Sequence, residues 1–169
     1  MKQLKVTKGD ITDFTVDAIV NAAKNSLLGG GGVDGAIHYE AGSQLLEACK
    51  TLNGCPTGEA KITPGFNLKA KYVIHTVGPV WREGVRNESE LLKKAYSNSL
   101  KLAEENKLKS LAFPNISTGA YGFPKRLAAS IAIGEVKKFF LDNKYVKEIS
   151  FVCFDDENYS IYSEILESI

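Results

Sequence analysis

The amino-acid sequence predicts an α/β protein, a three-layer α/β/α sandwich around a mixed, mostly parallel six-stranded sheet. Three observations lead there. Six short runs carry the β-branched, alternating or apolar character of strands. Longer segments of helical periodicity fall between them, the alternation that builds a sheet covered on both faces. The 169 residues fit one domain, 1–169, large enough to bury a core without disulfides or metals, and no linker or repeat divides them.

The elements follow in order. "QLKVTK" (3–8) alternates apolar and polar residues, and "DAIVNA" (17–22) is a short, largely apolar run. Val33 to Leu46 has helical spacing, with Gly42 breaking it in two. Strand signals return at "AKITPG" (60–65) and "KYVIHTV" (71–77), and "SELLKKAYSNSLKLAEENK" (89–107) has an apolar helical stripe through Leu91, Leu92, Ala95, Tyr96, Leu102 and Ala103. "SLAFPN" (110–115), the helical "KRLAASIAIGEVKKFF" (125–140), "EISFVCF" (148–154) and the helical "YSIYSEILESI" (159–169) complete the alternation.

With 21 basic and 20 acidic residues, the formal charge of +1 provides no long-range field toward nucleic acid or an anionic membrane. Any anionic ligand has to be held by local donors. Cys49, Cys55 and Cys153 are an odd set without a CxxC pair, which argues against a disulfide framework and a zinc site. The N-terminus has no apolar h-region, and no apolar run approaches the ~18 residues of a membrane span. A cytoplasmic monomer without membrane or nucleic-acid partners is expected.

In such folds ligands gather where loops leave the carboxyl ends of the strands. Four of those loops stand out: "GDITDF", "NAAKNSLLGGGG", "NISTGAYGFP" and "DDENY". Consecutive glycines let backbone N–H groups turn inward, and a helix beginning near Val33 adds its positive end, so the second loop suits a phosphate. Ser117 and Thr118, ahead of the helix after Pro124, make a second cradle, and two cradles suit a diphosphate. Either glycine loop alone reads as a common flexible turn; their equivalent positions favour a ligand.

Gly30, Gly32 and Gly35 spell G-x-G-x-x-G, but they begin about eight residues after the second strand, and no acidic strand end follows ~20 positions on, so a dinucleotide-binding unit is disfavoured. The Walker pattern fails at Asp34, and there is no G-x-S-x-G elbow. His38 and His75 lack the surroundings of metal ligands, and His75 reads as a satisfied buried residue. Asp34 is open to two readings: a helix N-cap, or a carboxylate that accepts a proton from water or a hydrogen bond from a sugar hydroxyl. Asp10 is equally open, as a turn terminator or an acceptor for the exocyclic amine of a base. Tyr121 and Phe154, rather than Phe123 and Tyr159, are the aromatics expected against a ligand.

The stretches "GDIT" (9–12), "VDAIVNAA" (16–23), "SLLGGGGVDGAIH" (26–38), "CPTGEAKITPGFNL" (55–68), "YVIHTVGPVW" (72–81) and "FPNISTGAYGFP" (113–124) together resemble the macrodomains, specifically the MacroD-type ADP-ribose-binding proteins. The resemblance implies an ADP-ribose ligand, with adenine near Asp10 and Ile11. Its diphosphate and distal ribose would be lined by Gly31, Gly32, Val33, Ser117, Thr118, Gly119, Ala120 and Tyr121, with Phe154 as a further contact. Asn21 would shape the ribose pocket and Asp34 would be catalytic. The implied activity is hydrolysis of mono-ADP-ribosylated aspartate and glutamate and of O-acetyl-ADP-ribose, with no metal and no cofactor; a binding module that recognises ADP-ribose without turnover is the alternative. The departure from the family is "NAAK" where "NAAN" is usual, which puts Lys24 in place of an asparagine that contacts the distal ribose. The expectation is that Asn25 takes that role while Lys24 turns to solvent, so Asn21, Lys24, Asn25 and Asp34 form the candidate catalytic set.

Overall fold

The computed structural model describes residues 1–168; Ile169, expected to end the last helix, lies outside the described residues. Six strands form one sheet: β1 (Gln3–Lys8), β2 (Ala18–Ala22), β3 (Ala60–Pro64), β4 (Tyr72–Thr76), β5 (Ser110–Phe113) and β6 (Glu148–Cys153). Its spatial order is β1-β6-β5-β2-β4-β3, with every pairing parallel except β3 against β4. The mixed, mostly parallel sandwich is as expected.

Five helices cover the sheet: α1 (Gly32–Ala41), α2 (Ser43–Lys50), α3 (Glu88–Glu105), α4 (Lys125–Phe140) and α5 (Asp156–Glu167). Gly42 divides α1 from α2 with φ of +87°, a conformation that side-chain-bearing residues rarely adopt. A short 3₁₀ turn at Ile11–Asp13 follows β1.

The strand period of two decides which helix each residue meets. In β2, Ala18 and Val20 face a core built with Leu92, Tyr96 and Leu100 of α3, Ala129 and Ala132 of α4, and Tyr162 of α5. Ile19 faces the opposite core, made with Ile37 and Ala41 of α1 and Leu45 and Cys49 of α2. Both cores are closed to solvent, so β2 reads as one continuous apolar run. Tyr96, Phe113, Phe151 and Tyr162 form a contiguous aromatic group in the larger core, with ring centroids 4.9–6.3 Å apart.

Glu104, at the end of α3, ties down the loop before β6. Its carboxylate accepts from the backbone N–H groups of Lys144, Tyr145 and Val146 and from Asn143 Nδ2. Partial burial alone would raise its pKa, but these donors outweigh it and hold the group below 4.5. Charged hydrogen bonds contribute about 1.5–3 kcal/mol; solvent screening of this half-exposed carboxylate reduces the expected cost of Glu104→Gln to about 1 kcal/mol. A lowered folded pKa contributes stability that is present above the unfolded value and lost as pH falls through the folded one. Urea titrations should therefore show the deficit of the variant at pH 7 shrinking below about pH 4.5.

Candidate functional site

The chain leaves β2 toward α1 and α2 on one face and leaves β5 toward α4 on the other. β2 and β5 are hydrogen-bonded neighbours, so their carboxyl ends mark a topological switch point where the connections part and open a crevice. Both glycine-containing loops start there. The local folding of each loop now explains what it presents.

The first loop turns through Gly29 and Gly32, with φ of +89° and +56°, and Gly31 is the N-cap of α1. The N–H groups of the first helical turn, Gly32, Val33 and Asp34, have no intrahelical acceptor and form the expected anion-binding end. Asp34 is thus the third residue of the helix and caps nothing, which corrects the N-cap reading: four glycines leave the start of a helix poorly marked in the sequence. The residue is only 4 % exposed. Oδ1 accepts from Asn21 Nδ2 at 2.9 Å and lies 3.5 Å from His38 Nε2, whereas Oδ2 has no partner.

Asn21, next to last in β2, lies beside His75 of β4, its register partner. Its Nδ2 also lies 3.1 Å from His75 Nδ1, and its Oδ1 is buried and unpartnered. His75 Nε2 lies 3.0 Å from Thr63 Oγ1 and 3.7 Å from Cys49 Sγ. Burial pushes His75 down to about 3, assisted by His38, and pushes Cys49 up to about 11, assisted by Asp34. Both are neutral at physiological pH; the Cys–His contact is a structural one and supplies no thiolate nucleophile. His75 is buried and hydrogen-bonded, as the sequence suggested, but its place directly behind Asn21 was not foreseen. Only the pairing of β2 with β4 brings the two together.

Asn25 does not take the role expected of it. Asn25 Nδ2 is bonded to Cys55 O at 3.0 Å and to Thr57 Oγ1 at 3.2 Å, which holds the amide on the loop before β3. Lys24 is exposed, as expected, with the end of its chain passing over Gly30. A Cβ placed on Gly30 would lie 2.8 Å from Lys24 Cε, 3.3 Å from its Nζ and 3.1 Å from Asp34 Oδ2. The ammonium therefore sits on the same side of Gly30 as the free oxygen of Asp34, in the space a side chain at that position would fill. A lysine stem is long enough to make this turn while keeping its apolar carbons on the loop.

The second loop runs from Asn115 to Pro124. Ser117 has φ of +68°, its Oγ is buried without a partner, and Thr118 Oγ1 donates to Asn115 O at 3.1 Å. Gly119 and Ala120 are exposed and Tyr121 is half-buried, its carbonyl accepting from Trp81 N–H at 2.8 Å. Phe123 is buried against Trp81, as its role in packing required. Asp10 Oδ1 accepts from the Thr12 N–H at 2.9 Å and its hydroxyl at 2.7 Å, so that oxygen terminates the turn that buries Ile11. Phe154 is 85 % exposed just past β6, and Asp155 caps α5 by accepting from Asn158 N–H. Among the described residues no group of three His, Cys, Asp or Glu is placed to hold a metal ion, and no helix is long and apolar enough to cross a membrane.

A mixed α/β sheet with two backbone-rich loops, buried unpaired acceptors and a buried carboxylate at its switch point defines a class: an α/β domain with a site for a phosphorylated ligand. The family is equally definite. The Macro domain model matches residues 20–132, and the chain belongs to that family. A Macro domain-containing protein of Methanosarcina mazei is 56 % identical over 99 % of this chain and 89 % of its own length. A protein of Escherichia fergusonii named O-acetyl-ADP-ribose deacetylase is 55 % identical, covering 97 % of this chain and 95 % of its own. Among solved structures, a Trypanosoma brucei macrodomain in complex with ADP-ribose superposes with a TM-score of 0.91 at 44 % identity, over 96 % of this chain and 68 % of that one. An Oceanobacillus iheyensis macrodomain with ADP gives 0.94 at 45 % identity, over 99 % and 94 %.

Proposed function

We propose that this macrodomain binds ADP-ribose and hydrolyses ADP-ribosyl esters, namely mono-ADP-ribosylated aspartate and glutamate side chains and O-acetyl-ADP-ribose. The observation that carries the reading is the free, buried Oδ2 of Asp34 beside the equally free Asn21 Oδ1, at the mouth of the first anion-binding loop. The diphosphate fits between the first turn of α1 and the Ser117–Tyr121 loop, and the adenine toward Asp10, Ile11 and Phe154. Asp34 Oδ2 then orients a water and takes its proton as the oxygen attacks the acyl carbon. The ester C–O bond breaks, the ribose oxygen leaves and is protonated, and the products are ADP-ribose and a free carboxylate. Most of the acceleration comes from holding water and ester in place. Names of relatives support the deacetylase half of this reading, and a solved relative with ADP-ribose supports the ligand.

The second reading is a module that binds ADP-ribose without turnover, and the position of Lys24 favours it. Its ammonium lies on the same side of Gly30 as Asp34 Oδ2 without bonding to it, and sets a positive charge near the carboxylate that has to activate the water. The deciding experiment is release of free ADP-ribose from a glutamate-linked mono-ADP-ribosylated protein, with binding followed by calorimetry. Lys24→Asn is expected to raise the release rate by up to about tenfold, equivalent to ~1.4 kcal/mol of barrier, with little change in affinity. Binding without release in both proteins would establish the non-catalytic module.

A further inference from the structure

Asn21 and His75 are register partners on β2 and β4, and Thr63, two residues along β3 from the partner of His75, reaches the ring from the next strand; all three are buried under α1 and α2. Asn21 Nδ2 carries two hydrogens, and both are committed: one to Asp34 Oδ1 at 2.9 Å and the other to His75 Nδ1 at 3.1 Å. His75 Nδ1 is therefore an acceptor, and the ring proton sits on Nε2, which donates to Thr63 Oγ1 at 3.0 Å. A reversed Asn21 amide would set its oxygen against the Asp34 carboxylate and leave His75 without a donor. With the amide held this way, Asn21 Oδ1 and Asp34 Oδ2 are both left as buried acceptors with no partner. A pair of buried acceptors has to be met by hydrogen-bond donors; an oxyanion or ether oxygen in the same place leaves both unpaired.

We propose that His75 is a positioning residue that sets the donor–acceptor polarity of this site, so that it selects a group with two O–H donors over an oxyanion. Given the ADP-ribose reading, on which the choice of ligand rests, that group is the vicinal diol of the distal ribose. The discrimination falls between ADP-ribose and ADP, whose terminal phosphate offers acceptors where the diol offers donors.

The test compares ADP-ribose and ADP by calorimetry on the wild type, His75→Phe and His75→Asn, with the imidazole nitrogens followed by ¹⁵N NMR. Phenylalanine keeps a buried ring without the acceptor, whereas asparagine places a carbonyl oxygen near the position of Nδ1. The preference for ADP-ribose over ADP is expected to fall about tenfold in His75→Phe through weaker ADP-ribose binding, the cost of an unpaired buried polar group, and to recover in His75→Asn. In release assays His75→Phe should lower kcat more than it raises KM. The wild-type spectrum should show a neutral ring protonated on Nε2 between pH 5 and 8, consistent with a pKa near 3. A proton on Nδ1, titration within that range, or an unchanged ligand preference in a folded His75→Phe protein would overturn the proposal. Wild-type protein that binds neither ligand would refute the ADP-ribose reading, and the NMR tautomer would still decide the role of His75.

Discussion

Asp34→Ala is expected to lower the release of ADP-ribose by about 10²–10⁴-fold, the usual contribution of a positioned general base, while ADP-ribose binding weakens by about tenfold or less. The asymmetry follows from the geometry. Asp34 Oδ2 is the carboxylate oxygen with no protein partner, so it is the one available to a water. In the proposed binding mode the ligand phosphates meet the first-turn N–H groups of α1, which the substitution leaves in place because alanine is a good helix former. Removing the carboxylate also frees Asn21 Nδ2 from its bond to Oδ1, a local loss that leaves the apolar contacts of Ile37 and Ala41 intact. Single-turnover release and calorimetry on the same preparation separate the two effects. Full activity in Asp34→Ala would remove the residue from the mechanism.

Gly35→Ala should impair the site by another route. A Cβ on Gly35 would stand 2.5 Å from the carbonyl oxygen of Gly30, a backbone atom that cannot rotate away. The loop has to lift off α1, carrying with it Gly31 and Gly32 and the space shared by Lys24 and Asp34. The overpacking costs about 1–3 kcal/mol of stability, and the displaced loop is expected to weaken ADP-ribose binding about a hundredfold, equivalent to ~2.7 kcal/mol. Gly134→Ala is the control: nothing lies within 4 Å of its added Cβ, inside α4, so helix propensity should leave it neutral or up to about 1 kcal/mol more stable. Urea melts and calorimetry on the two variants check the contrast. Equal behaviour would mean that the first loop tolerates displacement without loss of ligand.

The strands and helices were visible in the sequence because each depends on a local period. "DAIVNA" is apolar at consecutive positions since β2 is covered on both faces, and the stripe from Leu92 to Ala103 turns one side of α3 into a core. The glycine-rich loops were visible for a similar reason, being backbone chemistry written in residue types. The N-terminal boundary of α1 was less clear, and Asp34 shows why. Beside a run of glycines an aspartate reads as a cap, yet the helix starts at Gly32, and the extra turn carries Asp34 inward toward Asn21.

Lys24 and Asn25 mark the limit of sequence neighbourhood as a guide to space. Adjacent residues, either of them able to serve a ribose, part company because Cys55 O and Thr57 Oγ1 capture one amide while Gly30 leaves room for the lysine stem. By itself the sequence determined the elements, the two glycine-containing loops and the residue types they present, all of which follow from interactions between residues close along the chain. Tertiary structure decided the strand order β1-β6-β5-β2-β4-β3, the antiparallel edge at β3, and the polar chain from Thr63 through His75 and Asn21 to Asp34. Asn21 and His75 are 54 positions apart, and the hydrogen bond that leaves Asn21 Oδ1 buried without a protein partner exists only because β4 pairs with β2 in that register.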